Sequence, residues 1–129
     1  MSGTKLIVDT NIVLYLLNGD PVIEEMLQGN FLYISIITEM ELLGFPGISL
    51  KEEASIKGFC ASSEIININE QIKATAISFR KEYKLKLPDA IIAATSAFLG
   101  LPILTSDTAF KRVEDLPLLL YEPGNDISI

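Results

Sequence analysis

Leu6-Ile7-Val8-Asp9-Thr10-Asn11 is the stretch on which the reading of the whole chain turns. Three apolar residues, two of them β-branched, run straight into an acid. An unbroken apolar run without alternation is how a strand covered on both faces reads. Asp9 then stands where a central strand ends, at the lip of the sheet. Open parallel sheets bind their ligands outside the carboxyl ends of their strands. The question for the remaining residues is whether other acids join it.

Outward from that strand, helix and strand signals alternate. Asn11 to Asn18 reads as a short, nearly all-buried helix closed by Gly19, and Asp20-Pro21 restarts a helix as N-cap and first turn. Phe31 to Ile36 reads as a second strand. Thr38 opens a helix in which Thr38-Glu39-Met40-Glu41 has the capping-box pattern, and Gly44-Phe45-Pro46-Gly47 ends it in a loop. Ser49 caps the next helix, with Glu52 as its box partner, as far as Ser62. Glu64 to Ile68 is a third strand. Asn69 caps a long helix whose apolar face runs Ile72, Ala76, Phe79, Tyr83. Leu87-Pro88-Asp89 opens a small-residue helix stopped by Gly100. Pro102 to Thr105 is a fourth strand, followed by a short helix around Ala109 to Val113. Leu118 to Tyr121 is a last strand candidate, and Glu122 to Ile129 reads as loop. This alternation predicts an α/β fold: three layers, α/β/α, around a central parallel sheet of four to five strands. The length of 129 residues suits one domain over 1–129.

Composition narrows the chemistry. Histidine is absent and Cys60 is the one cysteine. That excludes His-based acid–base catalysis, Ser-His-Asp and Cys-His pairs, an internal disulfide and a structural zinc. Cysteine usage fits a reducing, cytoplasmic compartment. No apolar run approaches the ~18 residues of a membrane span, and no signal-type pattern opens the chain. The apolar fraction of 49% is high for a soluble monomer, so part of it is expected at an oligomer or partner surface. A net charge of −7 argues against passive nucleic-acid binding, which rests on Lys and Arg. Arg80, Lys81, Lys84 and Lys86 form the densest basic patch. At a helix C-terminus they suit the dipole, and that reading is preferred over phosphate contact.

Carboxylates and hydroxyls must therefore carry any reaction. Asp9 and Asp107 follow strands directly, and Glu41 follows the second strand by five residues, on the first turn of a helix. Strand ends and following helix starts share one edge of a right-handed alternation, so these three are expected to converge. Asp89 joins them only if the long helix before it returns without a strand. Each acid could merely cap a helix. Together they would crowd one edge, where two like charges ~4 Å apart at an effective dielectric of ~20 repel by about 4 kcal/mol. A hard cation relieves such crowding, and an all-oxygen set points to Mg²⁺ or Mn²⁺. Thr10, Asn11, Thr38, Thr105 and Ser106 supply polar groups able to orient the acids.

Taken in order, Val8-Asp9-Thr10-Asn11, Thr38-Glu39-Met40-Glu41-Leu42, Leu87-Pro88-Asp89-Ala90 and Leu104-Thr105-Ser106-Asp107 resemble the motifs of the PIN-domain family. The resemblance covers nearly the whole chain, and compact members resemble the VapC-type toxins of toxin–antitoxin pairs. It implies a PIN-like fold and a metal-dependent endoribonuclease. Asp9, Glu41, Asp89 and Asp107 would be the catalytic, metal-holding acids, with Asn11 and Thr105 or Ser106 in support. Glu39 is an alternative to Glu41. The resemblance further implies an RNA substrate, a cognate antitoxin that closes the acidic cleft, and a homodimer. Competing readings are a haloacid-dehalogenase-like phosphatase, weakened because Asn11 stands where a second Asp is wanted; a phospho-receiver, weakened by the missing late Lys; and a PIN-like RNA- or protein-binding module that cuts nothing.

Overall fold

The structure is a computed structural model and describes residues 3–123. Residues 124–129 of the expected terminal loop lie outside the described residues. In chain order the elements are β1 (Lys5–Val8), α1 (Thr10–Leu17), α2 (Pro21–Leu27), β2 (Phe31–Ser35), α3 (Ile36–Leu43), α4 (Leu50–Ala61), β3 (Glu64–Ile66), α5 (Glu70–Tyr83), α6 (Leu87–Leu99), β4 (Ile103–Thr105), a 3₁₀ turn (Thr108–Arg112) and β5 (Leu118–Leu120). The five strands are all parallel in the order β3-β2-β1-β4-β5. The α/β reading and its upper strand count hold.

β1 is central because both of its faces are apolar. Leu6 and Val8 point into one core with Ile34 and Leu104, against Ile12 of α1, Ile23 of α2, Leu42 of α3, and Ile56 and Phe59 of α4. Ile7 points the other way with Ile103, against Ile72 of α5, Ile92 of α6 and Phe110 of the 3₁₀ turn. Ile7 and Val8 are fully buried, each worth about 1.5–3 kcal/mol over an exposed side chain. Period-two alternation thus divides the helices into two outer layers, which is the α/β/α arrangement.

Most predicted starts hold. Asp20 accepts from the amides of Val22 and Ile23, Asn69 from that of Ile72, and Ser49 with Glu52 closes a capping box. The start of α3 differs. Ser35 ends β2 and caps α3 by accepting from the Ile37 amide at 3.1 Å. Thr38 is therefore inside the helix and fully buried, and Thr38–Glu41 is not its capping box. The strand-end hydroxyl reaches the free amides first, so the helix begins without a loop. Glu41 consequently sits on the second turn, not the first.

Asp89 depends on α5 and α6. Lys84 ends α5 in the left-handed conformation, φ 56°, which reverses the chain within three residues. The two helices pack along each other. Arg112 Nη1, in the turn after β4, donates to the Lys84 carbonyl at 3.2 Å. This bond ties the α5–α6 turn to the carboxyl edge of the sheet, so α6 starts where β4 ends.

Candidate active site

Register positions the first pair of site residues. Val8 lies opposite Leu104, and the Asp9 amide donates to the Leu104 carbonyl at 3.0 Å. The next residues, Asp9 and Thr105, are therefore neighbours across the β1–β4 seam. Thr105 Oγ1 donates to Asp9 Oδ2 at 2.6 Å, and the Thr10 amide donates to Asp9 Oδ1 at 2.8 Å. Asp9 is 5% exposed and Thr105 is fully buried. The same Thr105 oxygen accepts from the Asp107 amide at 3.0 Å. One buried hydroxyl thus holds two of the candidate acids, using its single proton toward one and a lone pair toward the other. Asp107 also accepts from the Ala109 amide at 2.8 Å, so it caps the 3₁₀ turn while remaining at the edge.

Glu41 arrives from the other side of β1. Its Oε1 accepts from Thr10 Oγ1 at 2.7 Å, and the same hydroxyl lies 3.2 Å from the buried Thr38 hydroxyl. The helical spacing of Thr38 and Glu41 puts both on the face of α3 that looks at the start of α1. Glu39 lies on another face, where its charge acts on the buried Cys60 thiol of α4 and, after burial, helps to raise its pKa. Of the two glutamates, Glu41 is the one beside Asp9.

Electrostatics tie the four acids together. Burial pushes Asp9 above the usual carboxylate value; bonds from Thr105 and the Thr10 amide oppose this, and the charges of Asp107 and Glu41 add to it. Asp89, half-buried on the first turn of α6, is raised to about 6. Burial is the largest cause, followed by Asp107, Asp9 and Glu41, with Lys86 in partial opposition. An acid at each of four chain positions is therefore within electrostatic reach of the same small volume. Among the described residues, however, no three acids stand at separations that would hold one ion as the side chains now lie.

The supporting residues separate. Thr105 holds acids directly. Ser106 points elsewhere, 3.3 Å from the Tyr15 hydroxyl. Asn11 is exposed on the first turn of α1, and among the described residues no hydrogen bond joins it to an acid. Thr10 does more than its position suggested, since its amide serves Asp9 and its hydroxyl Glu41. Adjacency to Asp9 was the only sequence signal for it. Tyr15 had none, because its link to Ser106 joins α1 to the residue after β4, 91 positions along the chain.

Beside the acids lies a groove of about 420 Å³, lined by Thr10, Leu14, Glu41, Phe45, Pro46 and Ile56 among others. Phe45 is 67% exposed. The loop expected between α3 and α4 thus forms one wall of an apolar trench that opens onto the Glu41 side of the carboxylate group.

An open parallel sheet with acids gathered at its carboxyl edge defines the class: an α/β protein with an all-carboxylate candidate site. The family follows from comparison with known proteins. The sequence model described as the PIN domain matches residues 6–116, and the chain belongs to the PIN-domain family. PIN nucleases in general use divalent metal ions. A chain in a solved toxin–antitoxin complex from Klebsiella pneumoniae is 34% identical, with a TM-score of 0.77 over 91% of this chain and 98% of that one. A chain in DNA-bound VapBC from Salmonella typhimurium is 25% identical, with a TM-score of 0.80 over 90% and 97%. VapBC-1 from nontypeable Haemophilus influenzae matches at 24% identity, TM-score 0.77, over 91% and 98%, a likeness that speaks to the fold. No match was found among curated proteins. Family membership leaves the phosphatase and phospho-receiver readings without support.

Proposed function

We propose that residues 1–129 form a single metal-dependent endoribonuclease domain, the toxin of a toxin–antitoxin pair, acting in the cytoplasm. The observation that carries the reading is the mutual repulsion of Asp9, Glu41, Asp89 and Asp107 at one sheet edge, with Asp89 raised to about 6. Such crowding costs stability and persists where the site has a use for it. The donor set is all oxygen and carries several negative charges, which fits Mg²⁺ or Mn²⁺. The four acids would hold the ion after rotamer adjustment. When bound, a divalent ion supplies Lewis-acid stabilisation of phosphate charge and lowers the pKa of water. The chain's own part is to favour the ionised form of Asp9 through the Thr105 and Thr10 donors, against the burial that raises its pKa.

The toxin assignment rests on the toxin–antitoxin and VapBC structures that the chain resembles. An antitoxin segment with apolar residues and an Arg fits the groove and its acidic end: the apolar side chains against Leu14, Phe45 and Ile56, the guanidinium toward Glu41. Exposed apolar residues elsewhere, Leu119 and Leu120 among them, fit a homodimer.

The test is cleavage of labelled RNA by purified protein freed of metal with EDTA. Activity should be absent, return with Mg²⁺ or Mn²⁺, and be lost in Asp9→Asn with its circular dichroism unchanged. Undiminished cleavage in excess EDTA, or by Asp9→Asn, would sink the proposal. A second reading, a binding module that cuts nothing, is favoured by one observation, the present spacing of the acids. RNA binding without cleavage at any metal concentration would establish it.

A further inference from the structure

Six of the chain's ten basic residues meet at one corner of the fold: Arg80, Lys81, Lys84, Lys86, Lys111 and Arg112. The first three belong to the end of α5, Lys86 stands just before the first turn of α6, and Lys111 and Arg112 close the 3₁₀ turn. The Arg112–Lys84 hydrogen bond joins the two segments. In sequence the last two are some thirty positions from the others, so only the fold unites them. All six are exposed. Among the described residues the ion pairs are Lys57–Glu53 and Lys73–Glu70, which involve none of them. Glu82, Glu114 and Asp115 stand nearby in sequence without reaching ion-pair distance. The corner is therefore a concentration of positive charge without a contact ion pair among the described residues, on a chain of net charge −7.

Its location matters as much as its sign. Lys86 acts electrostatically on Asp89, and the 3₁₀ turn that carries Lys111 and Arg112 is capped by Asp107. The basic corner thus borders the carboxylate group on its α6 side, away from the apolar groove. An anion approaching an acidic protein is repelled everywhere except where cations are gathered.

The backbone at this corner points the same way. Lys84 holds φ at 56°, a conformation that costs a side-chain-bearing residue about 1–2 kcal/mol and that glycine adopts freely. The chain places a cation at the position where glycine would be easiest.

We propose that this corner is a track for the phosphate backbone of single-stranded RNA, holding the nucleotides that flank the phosphate presented to the acids. The proposal rests on the nuclease reading for its substrate, and its test is a binding measurement that does not need cleavage. In an Asp9→Asn background, the affinity for a fluorescein-labelled single-stranded RNA is followed by anisotropy as KCl is varied. Each phosphate contact adds about 0.7 to the slope of log affinity against log salt. Lys84→Gly should lower the slope by about that amount while leaving the melting temperature at or above that of the parent. Binding and stability then move in opposite directions, which misfolding cannot imitate. The triple change Lys81→Gln, Lys84→Gly, Lys111→Gln should lower the slope by about two and weaken low-salt binding at least ~10-fold. Lys51→Gln with Lys57→Gln, on α4, should change neither.

A triple variant that keeps the parent's slope, and in active form its KM, overturns the proposal even if the protein is a ribonuclease. Salt-dependent RNA binding that depends on these residues supports it even if no cleavage is found. Polyglutamate that binds as tightly as RNA, and is lost in the same variant, would assign the corner to an acidic protein segment and overturn it as well.

Discussion

Replacing Asp89 by Asn should stabilise the metal-free protein while abolishing cleavage. In the folded chain Asp89 keeps its proton up to about pH 6, against 3.8 when unperturbed. The folded state is then the better proton binder between those values. Stability accordingly falls as pH rises from about 4 to 6 and levels off above. The full shift corresponds to about 3 kcal/mol. Asp89 is only half-buried, and solvent screening reduces the recoverable part to about 1–2 kcal/mol. Asn keeps the shape and removes the charge that Asp107, Asp9 and Glu41 repel. The loss of attraction to Lys86 is a smaller, opposing effect, since it is the last of the causes. In a domain of this size that gain raises the melting temperature by about 3–8 °C. The assay is thermal unfolding by circular dichroism in EDTA, parent beside variant, at pH 7.5 and pH 5. The gap should shrink to about half at pH 5, where the parent's Asp89 has regained its proton. An Asp89→Asn protein that melts at or below the parent at pH 7.5 refutes the reasoning. So does a gap indifferent to pH, because Asp89 would then not hold its proton more tightly in the folded chain than in the unfolded one.

Other outcomes follow from the same geometry. Thr105→Val removes the donor to Asp9 and the acceptor for the Asp107 amide in one isosteric step; it should cost about 1.5–3 kcal/mol in urea unfolding and move the acidic limb of the cleavage profile to higher pH. Stability within about 0.5 kcal/mol of the parent would mean that this hydroxyl holds nothing. Glu41→Gln should remove cleavage, whereas Glu39→Gln should leave kcat and KM intact. The reverse pattern would show that Glu41, though beside Asp9, is not the functional glutamate. Added Mg²⁺ should raise the parent's melting temperature at pH 7.5 and do so far less in Asp89→Asn, because the variant lacks one of the four carboxylates that would hold the ion and so binds it more weakly.

The apolar run into Asp9 was enough to read a central strand, since only a strand covered on both faces tolerates Leu6, Ile7 and Val8 in succession. Turn and cap residues such as Asp20, Ser49, Asn69 and Gly100 marked most helix ends correctly, because those signals are local: a side chain satisfies amides two or three residues away. The start of α3 escaped for the same local reason, with Ser35 competing against Thr38 for the cap and standing first. Which residues can be acids at a strand end is thus written in the sequence, as is the absence of histidine that forces carboxylate chemistry.

What the sequence could not decide is which of these groups meet. Thr105 reaches Asp9 because β1 and β4 are neighbours in register, a pairing made across 96 positions. Glu41 rather than Glu39 faces Asp9 because of the rotation of α3 about its axis once Ser35 had begun it. Asp89 joins the group because a left-handed Lys84 turns α5 back at the carboxyl edge and Arg112 secures that turn. Asp9, the residue at which the chain's opening strand ends, owes its raised proton affinity to that assembly. Burial and like charge are properties of the packed neighbourhood, and no stretch of chain around a single acid contains them.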